Sequence, residues 1–138
     1  MNTILLLQAA GIVHLGLIAA GMLMTVAVDL KTHVRKLPEF IRRLFWVYYT
    51  FIGTCLVSFG ALSFFMADAL ADGTALARAV CTFLAIFWSI RLGAAIFVFD
   101  VRPYLKNIFW KIGYQATNIV FAALPFLYAW IAWKGDTL

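Results

Sequence analysis

The chain has 138 residues, of which 65% are hydrophobic and only 12% charged, with a formal net charge of +5. A soluble domain carries about 25% charged residues, so a water-soluble catalytic core is excluded. The basic excess sits mostly at the ends of apolar runs, the positions that face lipid headgroups, and is not a nucleic-acid footprint.

The apolar residues fall into four runs. Residues 4–28, 44–67 and 112–133 contain no charge, and residues 79–99 contain one, Arg91. A helix needs roughly 20 apolar residues to cross the hydrocarbon layer. Backbone groups in lipid must be satisfied within the segment, so each run is predicted to be a helix. None shows the polar stripe of a helix lying on a soluble core. The sequence therefore predicts an all-α membrane protein: one domain, an antiparallel bundle of four transmembrane helices, with elbows at 29–43 and 100–111. The first run has no basic residue before it and is too long for the apolar core of a signal peptide, so it reads as a retained helix.

The first run contains Gly16 and Ala20, four apart, with Gly21 beside them. Small residues at this spacing let another helix approach closely. The run ends at Asp29. The following elbow carries Lys31, Arg35, Lys36, Arg42 and Arg43 around an apolar stripe at 30, 34, 37, 41 and 44. That pattern suits an amphipathic segment lying in the membrane interface. Pro38 suits the first turn of the next helix, which is expected to enter the hydrocarbon at Leu44 with Trp46, Tyr48 and Tyr49 as an inner aromatic belt.

The second run places Thr54, Ser58 and Ala61 on one face, beside Gly53, Val57 and Gly60, as its expected packing side. Thr74 is a candidate N-cap for the third helix. That helix has a second small-residue stripe at Ala85, Ser89 and Gly93. The fourth is expected to begin at Pro103, to bend at Pro125, and to end in an outer belt of Tyr128, Trp130 and Trp133. Cys55 and Cys81 lie roughly 10 Å apart along the membrane normal, too far for a disulfide, and read as small buried apolar residues.

Phe40–Trp46 (FIRRLFW) returns 64 residues later as Tyr104–Trp110 (YLKNIFW). At this offset Thr54 falls on Asn118. The match is compatible with two parallel helical-hairpin repeats, or with a shared need for basic and aromatic anchors. The two elbows hold eight Lys and Arg residues, against Arg78 in the outer loop and Lys134 in the tail, which also carries Asp136. The positive-inside rule puts the elbows in the cytoplasm and both termini outside. In general form the chain resembles small bacterial four-helix membrane proteins, which implies a bacterial-type inner membrane.

Two polar residues stand out at mid-depth. Arg91 lies about 3 Å from the centre of its run, where an arginine costs about 2.5–3.5 kcal/mol even on the lenient insertion scale. No carboxylate lies at its depth, since Asp29 and Asp100 are at the inner ends. Trp88, one turn away, is a candidate cation–π partner, and Gln115 and Asn118 are candidate hydrogen-bond partners. His14 lies at a similar depth with Ala10 and Gly11 one turn away, which leaves space beside its imidazole. His14, Arg91, Asn118, Gln115, Thr54 and Trp88 thus form a candidate site for an anion, a quinone or a haem. His14 is the candidate axial ligand. No intramembrane carboxylate, HExxH segment or phosphate-binding loop is present in the sequence. The functional reading is a non-enzymatic membrane subunit that forms oligomers or joins a membrane complex. Intramembrane ligand binding is the alternative.

Overall fold

The computed structural model describes residues 2–134 and contains helices and turns, with no strand among those residues. Four helices are long and apolar enough to cross a membrane: α1 (Thr3–Ala27), α3 (Glu39–Phe65), α5 (Ala75–Phe97) and α6 (Ile108–Lys134). The short helices α2 (Leu30–Arg35) and α4 (Ala67–Ala71) lie in the connections. Asp136, assigned above to the tail, lies outside the described residues.

Local chemistry sets the boundaries. The Asn2 side chain accepts from the Ile4 N–H (3.1 Å) and starts α1. Asp29 separates α1 from α2 in the left-handed region, φ 47°. An L-residue other than Gly, Asn or Asp is strained there. Its carboxylate accepts from the Thr32 hydroxyl (3.0 Å), and its carbonyl accepts from the His33 ring (2.9 Å). Pro38 precedes α3, as expected, and Thr74 caps α5 by accepting from the Ala77 N–H at 3.3 Å.

The two elbows differ. Phe40–Trp46 lies wholly within α3, whereas Tyr104–Trp110 runs from a 3₁₀ turn (Arg102–Tyr104) through irregular chain into α6. The last helix therefore begins at Ile108 and not at Pro103. Asp100 holds the turn by accepting from the Arg102 backbone N–H (3.1 Å) and from its guanidinium (3.0 and 3.1 Å). Of the predicted amphipathic stretch 30–43, only α2 is a separate helix, with Val34 buried beneath it.

The helices pack as two pairs, α1 along α3 and α5 along α6. Gly11 and Gly60 mark the closest approach within the first pair. A Cβ added to Gly11 would lie 2.8 Å from the Gly60 carbonyl oxygen, and one added to Gly60 would lie 2.9 Å from His14 Cβ. By contrast, an added Cβ at Gly16, Gly21, Gly53 or Gly93 would meet nothing within 4 Å. Of the small-residue positions read as packing sites in the sequence, Gly16, Gly21, Thr54, Ser58, Ala61 and Ser89 are exposed, Ala20, Gly53 and Gly93 are half-buried, and Gly60 and Ala85 are buried.

The core is one-sided along the bundle. Its buried residues are Leu7, Ala10, Gly11, His14 and Leu17 of α1, Gly60 and Ser63 of α3, Ala77, Cys81, Leu84, Ala85 and Trp88 of α5, and Phe121, Leu124, Pro125, Tyr128 and Ile131 of α6. α4 adds Ala67 and Leu70 at the same end. In the elbow-side third of the four long helices only Ala95 is buried. Both cysteines are free; Cys81 is buried as expected, but Cys55 is exposed on α3.

Candidate functional site

Four helices converge on His14. The side chain is 0% exposed. Its Nδ1 lies 2.7 Å from the Ala10 carbonyl oxygen one turn back in α1. A carbonyl can only accept, so Nδ1 carries the proton and Nε2 presents a lone pair. Gly60 leaves room for the imidazole against α3. Trp88 of α5 meets the ring edge-on with centroids 5.2 Å apart, and Tyr128 of α6 does so at 6.4 Å.

Two nitrogens in this group have no hydrogen-bond partner among the described residues: His14 Nε2 and Trp88 Nε1. One is an acceptor and the other a donor. Leaving a buried polar group unpaired costs about 1–3 kcal/mol, so a neighbouring pair of opposite type is a demand for a small group that can serve both.

Tyr128 and Ser63 complete the centre. Their hydroxyls are 2.6 Å apart, both side chains are fully buried, and the bond joins α3 to α6. Tyr128 is therefore an interior residue and not part of the outer aromatic belt. Trp130 and Trp133 are exposed, with Lys134 Nζ lying 4.8 Å from the Trp130 ring centroid. Ser63 and Tyr128 escaped the sequence reading. Their signal was weak: a Tyr four residues from an interior-facing Leu124 is as apolar in pattern as a belt residue.

Arg91 is reached from this centre through aromatic rings. Trp88 stacks on Phe121 with centroids 5.8 Å apart. The Arg91 guanidinium lies 4.7 Å from the Phe121 centroid and 5.6 Å from that of Phe99. The expected Trp88–Arg91 contact is replaced by these two phenylalanines, because Trp88 turns toward His14. No hydrogen bond or ion pair ties Arg91 to Asn118, Gln115, Asp29 or Asp100. Asp100 is occupied by Arg102, and Asp29 by its own turn.

The remaining candidates do not join the centre. Thr54 is exposed and its hydroxyl donates to the Thr50 carbonyl (3.0 Å), while Ser58 does the same to Thr54 (2.8 Å). Such back-bonding satisfies the hydroxyl within its own helix, so neither needs a partner across the bundle. Gln115 is exposed and Asn118 half-buried. The packing face of α3 is instead Leu56, Phe59, Gly60 and Ser63. No family model, curated protein or solved structure matches the chain. The residues themselves therefore carry the functional reading.

A porphyrin fits poorly at His14. A macrocycle bonded to Nε2 needs an open slab beside the imidazole, and the Trp88 and Tyr128 rings fill that space. Among the described residues no group of three His, Cys, Asp or Glu side chains is placed to hold a metal ion.

Proposed function

We propose that the chain is a multi-pass protein of a bacterial-type cytoplasmic membrane. It is an antiparallel four-helix bundle with cytoplasmic elbows and both termini outside, and it acts without catalysis as an oligomer-forming or accessory subunit. The observation that carries this reading is the one-sided core. From the end bearing α4 to mid-length the four helices bury Leu84, Trp88, Tyr128 and their neighbours, whereas the elbow-side third buries Ala95 alone. Helices in lipid associate by close van der Waals packing and not by hydrophobicity. A bundle end that lacks such packing, with the exposed glycines 16 and 21 meeting nothing within 4 Å, is completed by packing against another chain.

Native mass spectrometry and cross-linking in mild detergent test it. A copy number above one, or a stoichiometric membrane partner, is expected. A strictly monomeric protein with no partner sinks the reading. Reporter fusions to the elbows and termini test the orientation.

The unpartnered His14 Nε2 and Trp88 Nε1 favour a second reading, an intramembrane site for an apolar ligand bearing a hydroxyl or carbonyl, of the quinol and quinone kind. Trp88 donates to its oxygen and His14 accepts from its hydroxyl. His14→Phe is expected to abolish quinol binding while leaving the bundle folded. Unchanged binding in that variant removes the reading.

A further inference from the structure

Three cations gather in a pocket where the first elbow meets the base of α3. Lys31 and Arg35, one turn apart on α2, and Arg42 of α3 line it together with Val34 and Trp46. No carboxylate lines this pocket. The contrast with neighbouring arginines is specific. Arg43 is paired with Glu39, and Arg102 with Asp100. Arg35 and Arg42 have no ion pair or hydrogen bond from their side chains among the described residues. Like charges gathered in one pocket repel unless an anion lies between them.

The walls say what kind of anion. Val34 is 3% exposed and forms an apolar floor, while Trp46 is 41% exposed at the rim. Beyond the rim α3 presents Val47 and Phe51 outward. The pocket thus joins a cationic cradle to an apolar track running along a membrane-crossing helix. We propose that Lys31, Arg35 and Arg42 bind the phosphate of an anionic phospholipid, whose acyl chains lie along α3 past Trp46. This rests on the membrane reading of the four long helices but not on the oligomer.

Basic side chains near an anionic bilayer surface contribute about a fivefold gain in affinity each. The full-length protein is exchanged into nanodiscs of phosphatidylcholine with a minor share of phosphatidylglycerol, and retained lipid is read by native mass spectrometry. One retained phosphatidylglycerol per chain is expected. K31Q/R35Q/R42Q should weaken retention on the order of 100-fold, as three such factors multiply. A control of equal charge change, K36Q/K106Q/K111Q, should retain it. Equal loss in both variants, or no preference for phosphatidylglycerol in the wild type, overturns the site. If the triple variant does not fold, Arg42→Gln alone repeats the test with a fivefold expected loss. Inorganic phosphate is titrated in parallel. Displacement of the lipid by phosphate, with direct phosphate binding lost in the same variants, would assign the cradle to a soluble phosphate and overturn the lipid. Partitioning of the wild type into the aqueous phase of a detergent separation would instead refute the membrane reading itself.

Discussion

His14 and Trp88 meet edge to face at 5.2 Å between ring centroids, both buried, each with one nitrogen that finds no partner among the described residues. The contact joins α1 to α5, and so the first helical pair to the second. A polar pair placed at that junction is a poor choice for stability alone, because apolar rings of similar size would leave nothing unsatisfied.

The junction depends on Gly60. Alanine there would place its Cβ 2.9 Å from His14 Cβ and 3.2 Å from the Gly11 carbonyl oxygen. Neither atom is the end of a flexible chain, so α1 and α3 must separate. Gly60→Ala should destabilise the bundle by about 1–3 kcal/mol, the usual range for overpacking. Gly16→Ala meets nothing within 4 Å and should stay within about 0.5 kcal/mol. Unfolding in mixed micelles titrated with dodecyl sulfate compares the two. Equal stability for both would show that the glycine contact is not tight.

Tyr128→Phe removes the hydroxyl 2.6 Å from Ser63. Hydrogen bonds between transmembrane helices average about 0.6 kcal/mol and reach about 1.7. Full burial of both partners places this one toward the upper figure. Ser63→Ala closes the double-mutant cycle. A coupling energy indistinguishable from zero would mean that the two hydroxyls do not share a proton.

Arg91→Leu weighs two effects. The arginine loses contacts with Phe121 and Phe99, worth about 0.5–1 kcal/mol each when partly exposed. On the membrane reading proposed above, leucine avoids an insertion penalty of about 2.5–3.5 kcal/mol for a charge near mid-membrane. The second effect is larger, so the variant should be more stable, by about 0.5–2.5 kcal/mol on these scales. The same micelle titration decides it. A clear loss of stability would make Arg91 a structural residue with a partner beyond the two rings.

The second elbow should respond to acid. The Arg102 side chain bonded to Asp100 holds its carboxyl below the ordinary 3.8, helped by the Arg102 backbone N–H. A carboxylate whose folded pKa is depressed adds stability above its unfolded pKa and loses it as pH falls through the folded value. The Arg102–Tyr104 turn should therefore hold at pH 5 and loosen only below the usual aspartate range (about 3.9). Hydrogen exchange at Tyr104 and Leu105, followed against pH, measures this. Asp100→Asn should exchange quickly at every pH. Protection that does not fall in acid would show that the carboxylate is not what holds the turn.

The four long helices were legible because a run of about 20 or more residues with at most one charge is the pattern of a helix long and apolar enough to cross a membrane. Which face turns inward was much harder to read. In water, polarity marks the outer face of a helix. Here the exterior is as apolar as the core, so Tyr128 reads like a belt residue although it is buried. Thr54 and Ser58 look like packing residues although they bond their own helix. Gly11 and Gly60 differ from Gly16 and Gly53 only in what lies opposite, which no local pattern records. His14 and Trp88 were visible as candidates because a buried imidazole and indole are costly wherever they fall. Their meeting required two helices 74 positions apart along the chain, counted from residue 14 to residue 88.

The left-handed residue at Asp29 makes the two elbows unequal in their tolerance of length changes. The change of direction after α1 is made within one residue, and α2 follows with Val34 inserted beneath it. One added residue at position 30 would turn α2 by about 100°, lifting Val34 out and carrying Lys31 and Arg35 away from Arg42. The corresponding stretch before α6 has no buried residue between 98 and 107, so an insertion there has slack to take it up. Natural variation in length should therefore collect in the second elbow and be purged from the first.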